Sequence, residues 1–178
     1  MRRTILIAST SVFVLCAGLW IGAIIGVGAL AAPAAFQTLD GIVRDGSPVA
    51  GYVVGESLRR LNSASVVFLA IMFSAALFEL FYRRRRYATR LMVARMLVVL
   101  GGFLLTLYLG QLMMPALEMA RSQVETGAFD RMHAQYKSFG WIQVLLGTLA
   151  IVLTAAINIG PRRDGGHPRG PAAGDDPG

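Results

Sequence analysis

The stretch from Phe129 to Trp141, FDRMHAQYKSFGW, holds His133, Tyr136 and Lys137 at the mouth of an almost purely apolar run that continues to Ile159. A helix begun by Arg131 sets His133, Tyr136, Lys137 and Gly140 on one face, because residues three, four and seven apart are neighbours there. Polar side chains at membrane depth turn toward a bundle interior or a wet cavity. Asn62, Arg59 and Arg60 lie at a similar depth on a second apolar run, Gln111 slightly deeper on a third, and Trp20 below on the first. The expected site is a polar vestibule around His133, Tyr136, Asn62, Arg60, Gln111 and Trp20, equipped for interhelical hydrogen bonds or for holding a small solute. The competing reading of Tyr136, Lys137 and Trp141 is an ordinary belt of amphipathic residues at the membrane surface.

A soft metal is the sharper chemical idea. Met113, Met114 and Met119 close the third apolar run, and Met132 stands beside His133. Thioether and imidazole together suit Cu(I). Methionine is equally a filler of irregular apolar gaps, and the adjacent Met113 and Met114 point in different directions on an α-helix. A bis-histidine haem site needs a second histidine at membrane depth, and the other one, His167, is in the polar tail; axial ligation by His133 alone or across a dimer stays open. No cofactor is required by these residues, with copper or haem as the alternatives. The single cysteine, Cys16, excludes an intrachain disulfide and any multi-cysteine metal site. Paired carboxylates within a span, a nucleophile elbow, a zinc motif and a phosphate loop are all missing, so the chain does not read as an enzyme. Glu79 is the one acid near a membrane core, and its position four residues before Arg83 predicts an ordinary helix ion pair at the interface.

Residues of these kinds need a scaffold, and the composition names it. Of 178 residues, 55% are hydrophobic and 15% are charged, against about 25% charged in a soluble domain. Four apolar runs, at about 4–32, 61–82, 92–117 and 139–159, each reach the roughly 20 residues that cross 30 Å of hydrocarbon. The fold class is an all-α, integral membrane four-helix bundle in one domain, residues 1–160. The Gly- and Pro-rich stretch 161–178 has too little apolar surface to fold and reads as a disordered cytoplasmic tail. The first run is too long for a signal-peptide core.

Arginines set the orientation. Arg2 and Arg3, then Arg83 to Arg86 with Arg90 and Arg95, then Arg162, Arg163 and Arg169 all fall on one side. Basic residues in short loops stay cytoplasmic, which places both termini inside the cell and the chain in the inner (plasma) membrane. The net charge of +7 is punctuation between apolar runs and forms no stripe, so nucleic acid is not an expected partner. The lipid bilayer is. Gly18, Gly22 and Gly26 recur along the first span, and Gly102, Thr106 and Gly110 along the third. Small residues at that spacing let helix backbones approach closely, either within the chain or in a homo-oligomer. Between the first two spans, Asp-Gly steps mark turns, and Ala50–Arg60 reads as an outward extension of the second helix with Pro48 in its first turn.

Three of these segments carry a family resemblance. LWIGAIIGVGALAAPAAF, with Trp20, Gly22, Ala32, Pro33 and Phe36, is similar to the first-helix pattern of the transmembrane-protein-205-like family of four-helix membrane proteins. AGYVVGESLRRLN, with Ala50, Gly51, Gly55 and Asn62, resembles its lead into the second helix, and FDRMH its Phe-x-x-Leu-His. Met132 and Tyr136 depart from that last pattern, which usually has leucine before the histidine and a small hydroxyl residue three after it. The resemblance spans about residues 10–160 and implies a membrane protein of unassigned biochemistry, with an animal member linked to drug tolerance. The functional expectation is a small transporter, channel component or stress-resistance factor. The alternatives are a copper- or haem-dependent redox protein and a structural partner of a larger membrane complex.

Overall fold

The computed structural model describes residues 2–43, 46–82, 86–122 and 126–159. The stretch 161–178, expected to be disordered, lies outside them, as does Arg83. Six α-helices follow in chain order: α1 (Arg2–Ile25), α2 (Ala32–Ile42), α3 (Gly46–Tyr82), α4 (Arg86–Tyr108), α5 (Met114–Ser122) and α6 (Thr126–Ile159). They make up four candidate spans, Thr4–Ile42, Pro48–Tyr82, Thr89–Ala120 and Phe129–Ile159, each apolar and long enough to cross a bilayer. The protein is an all-α, multi-pass membrane bundle. Every span runs past its apolar stretch at the end opposite the arginine-rich connections. Helix α3 does so as expected, beginning at Gly46 with Pro48 in its first turn.

The first and third spans are each interrupted by a π-helical turn, Gly26–Ala31 and Leu109–Met113. Both have the same cause. A proline lacks an N–H and its ring clashes with the carbonyl four residues before it. Pro33 stands four after Ala29 and Pro115 four after Gln111, so both clashing carbonyls lie inside the π turns. Widening the ring relieves the crowding without breaking the helix. The Ala32 N–H bonds the Val27 carbonyl and the Met114 N–H bonds the Leu109 carbonyl, both five residues back.

Several outward-facing hydroxyls on the spans are satisfied locally. Ser63, Ser74, Ser138 and Thr148 face outward and each donates to the carbonyl four residues earlier, at 2.8–3.2 Å. In lipid no water takes that role, so the back-bond is what allows these residues on a membrane-facing surface.

The packed centre lies between all four spans: Phe13, Cys16, Ala17 and Trp20 from α1, Leu69, Met72 and Ala76 from α3, Val99 from α4 and Ala150 from α6. Two glycines admit the Trp20 indole. A Cβ on Gly102 would lie 3.0 Å from Trp20 Cη2, and one on Gly147 would lie 3.3 Å from Cε3 and 2.6 Å from Ile21 Cγ1. Gly110 touches Asn62, with 3.6 Å between a would-be Cβ and the asparagine Cβ. Gly18, Gly22 and Gly26 have nothing within 4 Å. The glycine repeat of the first span therefore faces away from the other helices of the chain, and close approach within it comes from Gly102, Gly110 and Gly147. A smaller apolar cluster of Leu109, Met113, Met114, Leu117 and Tyr136 fills the end opposite the arginine-rich connections.

Candidate functional site

Polar groups in the interior fall into two layers. The first lies one to two turns inside the arginine-rich end and is charged. Glu79 of α3 and Arg95 of α4 form an ion pair with Arg95 Nη2 donating to Glu79 Oε2 at 3.1 Å, their side chains 1% and 0% exposed. The Thr10 hydroxyl of α1 donates to the second carboxylate oxygen, Oε1, at 2.9 Å. Arg95 Nη1 donates to the Thr154 hydroxyl of α6 at 3.4 Å, and Thr154 in turn donates to the Ala150 carbonyl at 2.7 Å. Phe13 of α1 closes the remaining side, with the guanidinium carbon 4.5 Å from its ring centroid, a cation–π contact. Each span thus supplies at least one group.

The sequence reading paired Glu79 with Arg83, which lies outside the described residues; among them Glu79 pairs in the interior with Arg95, a residue counted from sequence among the loop arginines. The reason is helical phase. Ser65, Leu69, Met72, Ala76 and Glu79 recur at three- and four-residue steps and are all buried, as are Met92, Arg95, Val99, Gly102 and Thr106. Both ionisable groups sit on the core stripe of their helix, and a charge taken from water into that stripe persists only with a partner.

The second layer is neutral and lies toward the opposite end. Gln143 Nε2 donates to the Thr106 hydroxyl at 2.7 Å, joining α6 to α4. Further outward, two turns along α6, Asn62 Nδ2 donates to the Tyr136 hydroxyl at 3.2 Å, joining α3 to α6. Ser65, also buried, bonds the Leu61 carbonyl at 2.8 Å. Of the residues expected in a vestibule, Asn62 and Tyr136 are brought together, and Trp20 is buried below them. Gln111 is exposed on the π turn, and Arg60 is 81% exposed, bonded to Glu56 on its own helix at 2.8 Å. Arg59 pairs with the same carboxylate. His133 is half-buried, its ring stacked on Phe129 at 5.7 Å between centroids, and Lys137 and Trp141 are exposed. Gln143 and Thr154 escaped notice in the sequence, although their common phase with Gly147 and Ala150 was there to be read, and Thr106 was read as a small packing residue in phase with Gly102.

The methionines behave unlike the residues of a regular helix. Met113 and Met114 are both buried in one cluster, against the expectation that neighbours must diverge, and Met132 packs on that cluster. The π turn ending at Met113 explains it, since one extra residue in the turn rotates the following side chains back toward the interior. Among the described residues, no three His, Cys, Asp or Glu side chains come together as a metal site would need.

Tyr136→Phe will leave the buried Asn62 amide without its acceptor. The expected loss is about 0.5–1.5 kcal/mol, read as a shift in the unfolding midpoint in mixed detergent micelles; an unchanged midpoint would mean the bond carries nothing.

Residues 15–125 match the family described as Domain of unknown function (DUF4149). The chain belongs to this family. The match runs from midway along the first span through the third and so includes Trp20, Asn62, Glu79, Arg95 and Thr106, while Thr10, Phe13, Tyr136, Gln143 and Thr154 lie outside it. No curated protein and no solved structure matches the chain.

Proposed function

We propose that this protein is a non-enzymatic membrane protein that admits a small polar or charged solute into its bundle, with the Glu79–Arg95 pair closing the arginine-rich side. The observation that carries the reading is the pair itself. Ionisable residues inside a span are costly and mark solute or proton pathways when they face the interior with a named partner. A neutral polar layer toward the other end, with the Trp20 layer between, gives such a path two separate polar stations. On helix geometry the Thr106 and Arg95 positions are about 16 Å apart along α4.

The arginine distribution supports placing both termini on the cytoplasmic side of the inner membrane, with the charged layer facing the cell interior. The resemblance to the transmembrane-protein-205-like family, with its drug-tolerance link, supports a role in solute handling or stress resistance in particular. The test is flux into proteoliposomes holding the wild type, Glu79→Gln, or Glu79→Gln with Arg95→Gln, using pH-sensitive and chloride-sensitive dyes. Glu79→Gln should raise chloride entry, because it leaves the arginine without its counter-charge, and the double variant should not. Traces indistinguishable from empty vesicles for all three proteins would remove the reading.

A second reading rests on the methionine cluster. Met113, Met114 and Met132 share one apolar region with His133 beside it, the donor types that hold a soft monovalent copper ion. Stoichiometric copper in purified protein, lost in Met113→Leu/Met114→Leu, would favour it over the solute reading. Metal-free protein after copper loading would end it.

A further inference from the structure

One polar atom in the centre of the bundle has no acceptor within the protein. Trp20 is 1% exposed, yet its indole Nε1 makes no hydrogen bond. An N–H left unmade in an apolar interior costs about 1–3 kcal/mol, and in hydrocarbon no bulk water offsets it. The contacts around the ring show that this is a built position. The six-membered edge is held by Gly102 and Gly147, while the N–H lies on the other side of the indole from Cε3, the atom that meets Gly147. Leucine or phenylalanine would fill an apolar layer there with no donor to satisfy.

What lies near that layer is chemically selective. Thr106 stands one turn beyond Gly102 on α4, Gln143 one turn beyond Gly147 on α6, and Ser65 one turn beyond Leu69 on α3. All three are buried. Ser65 and Thr106 each keep hydrogen-bonding capacity, since the first only donates and the second only accepts in its protein bond. The buried charges among the described residues, Glu79 and Arg95, are on the other side of the Trp20 layer. An ion would find no buried counter-charge among the described residues of this half, whereas an uncharged acceptor would find a donor and neutral partners. The two π turns, Gly26–Ala31 and Leu109–Met113, flank the same half, and such turns recur where helices carry binding groups.

We infer that Trp20 Nε1 is the donor of a binding site for a small uncharged hydrogen-bond acceptor, set in the half of the bundle away from the arginine-rich end. The oxygen can come from water or from a carbonyl-bearing amphiphile of the bilayer; both offer the same lone pair. The site stands independently of any gate formed by Glu79 and Arg95.

The test uses the full chain in lipid nanodiscs with 15N-labelled tryptophan and Trp141→Phe, a change confined to an exposed ring, so that one indole N–H signal remains. A downfield, hydrogen-bonded indole proton supports the site. Magnetisation transfer from water then names water as occupant. Transfer from lipid or from a co-purified amphiphile, with none from water, names the second source. Ser65→Ala or Thr106→Val should move the signal while leaving the other backbone resonances in place. An indole proton at the position of an unbonded N–H, unmoved by either substitution, overturns the inference.

Discussion

Replacing Arg95 with leucine will destabilise the bundle by about 3–5 kcal/mol, the cost of leaving one member of a buried pair without the other. Glu79 would then be a carboxylate held by the Thr10 hydroxyl, in a place where its side chain is 1% exposed. Glu79→Leu should cost a similar amount. The Glu79→Leu/Arg95→Leu double variant should recover most of the loss, because apolar groups of similar volume replace a buried pair with little or no penalty. Thr10 and Thr154 can each satisfy their hydroxyls on a carbonyl of their own helix, as Thr154 already does. Unfolding of the four proteins in mixed micelles gives the coupling directly. If Arg95→Leu alone falls within about 1 kcal/mol of wild type, the pair is too wet or too loose to be what the geometry describes.

Gly147→Val gives the second large effect. Its Cβ would arrive 2.6 Å from Ile21 Cγ1 and 2.9 Å from Cδ1, with Trp20 next to both. Ile21 Cγ1 can move aside only by a χ1 rotation, which a β-branched side chain in a helix resists, so the expected loss is about 1–3 kcal/mol, the usual range for overpacking a filled core. Gly22→Val meets nothing within 4 Å and should stay within about 0.5 kcal/mol in the monomer. Equal effects at the two positions would contradict the packing described for α1 against α6. A loss at Gly22 confined to dimer yield would show that the open glycine face belongs to a second copy.

The number of spans was legible because hydrocarbon thickness fixes a length and leaves few alternatives. Asn62 and Tyr136 were legible as interior groups for the same reason. Gln111 and Arg60 were not, because depth along a helix is written in sequence position while direction around it depends on turn geometry. Gln111 falls off the core stripe of Val99, Gly102 and Thr106 continued at three- and four-residue steps. The extra residue of the π turn defeated the expectation for Met113 and Met114, although Pro33 and Pro115 advertised both irregular turns. The Arg95 partner of Glu79 was not legible, because a residue four away in sequence is the pair that local spacing offers, while only the packing of α3 against α4 brings Arg95 near. Gly147 and Gly102 could not be ranked above Gly18 and Gly22 without knowing which face of each helix met Trp20.

The position of the charged layer has a consequence for how the protein enters the membrane during synthesis. Glu79 and Arg95 sit on consecutive spans, joined by the short connection at 83–85. A lone arginine or a lone acid at the centre of a span raises the cost of insertion by about 2.5–3.5 kcal/mol; one to two turns from the end the cost is smaller, but each helix would still meet it if it entered lipid alone. Entering as a hairpin, the two carry no net charge and leave the translocation machinery already paired. Thr10 is in place by then, and Thr154 arrives with the last span to complete the set. The third span should therefore insert poorly by itself and efficiently behind the second, an order of assembly built into the core stripe of two neighbouring helices.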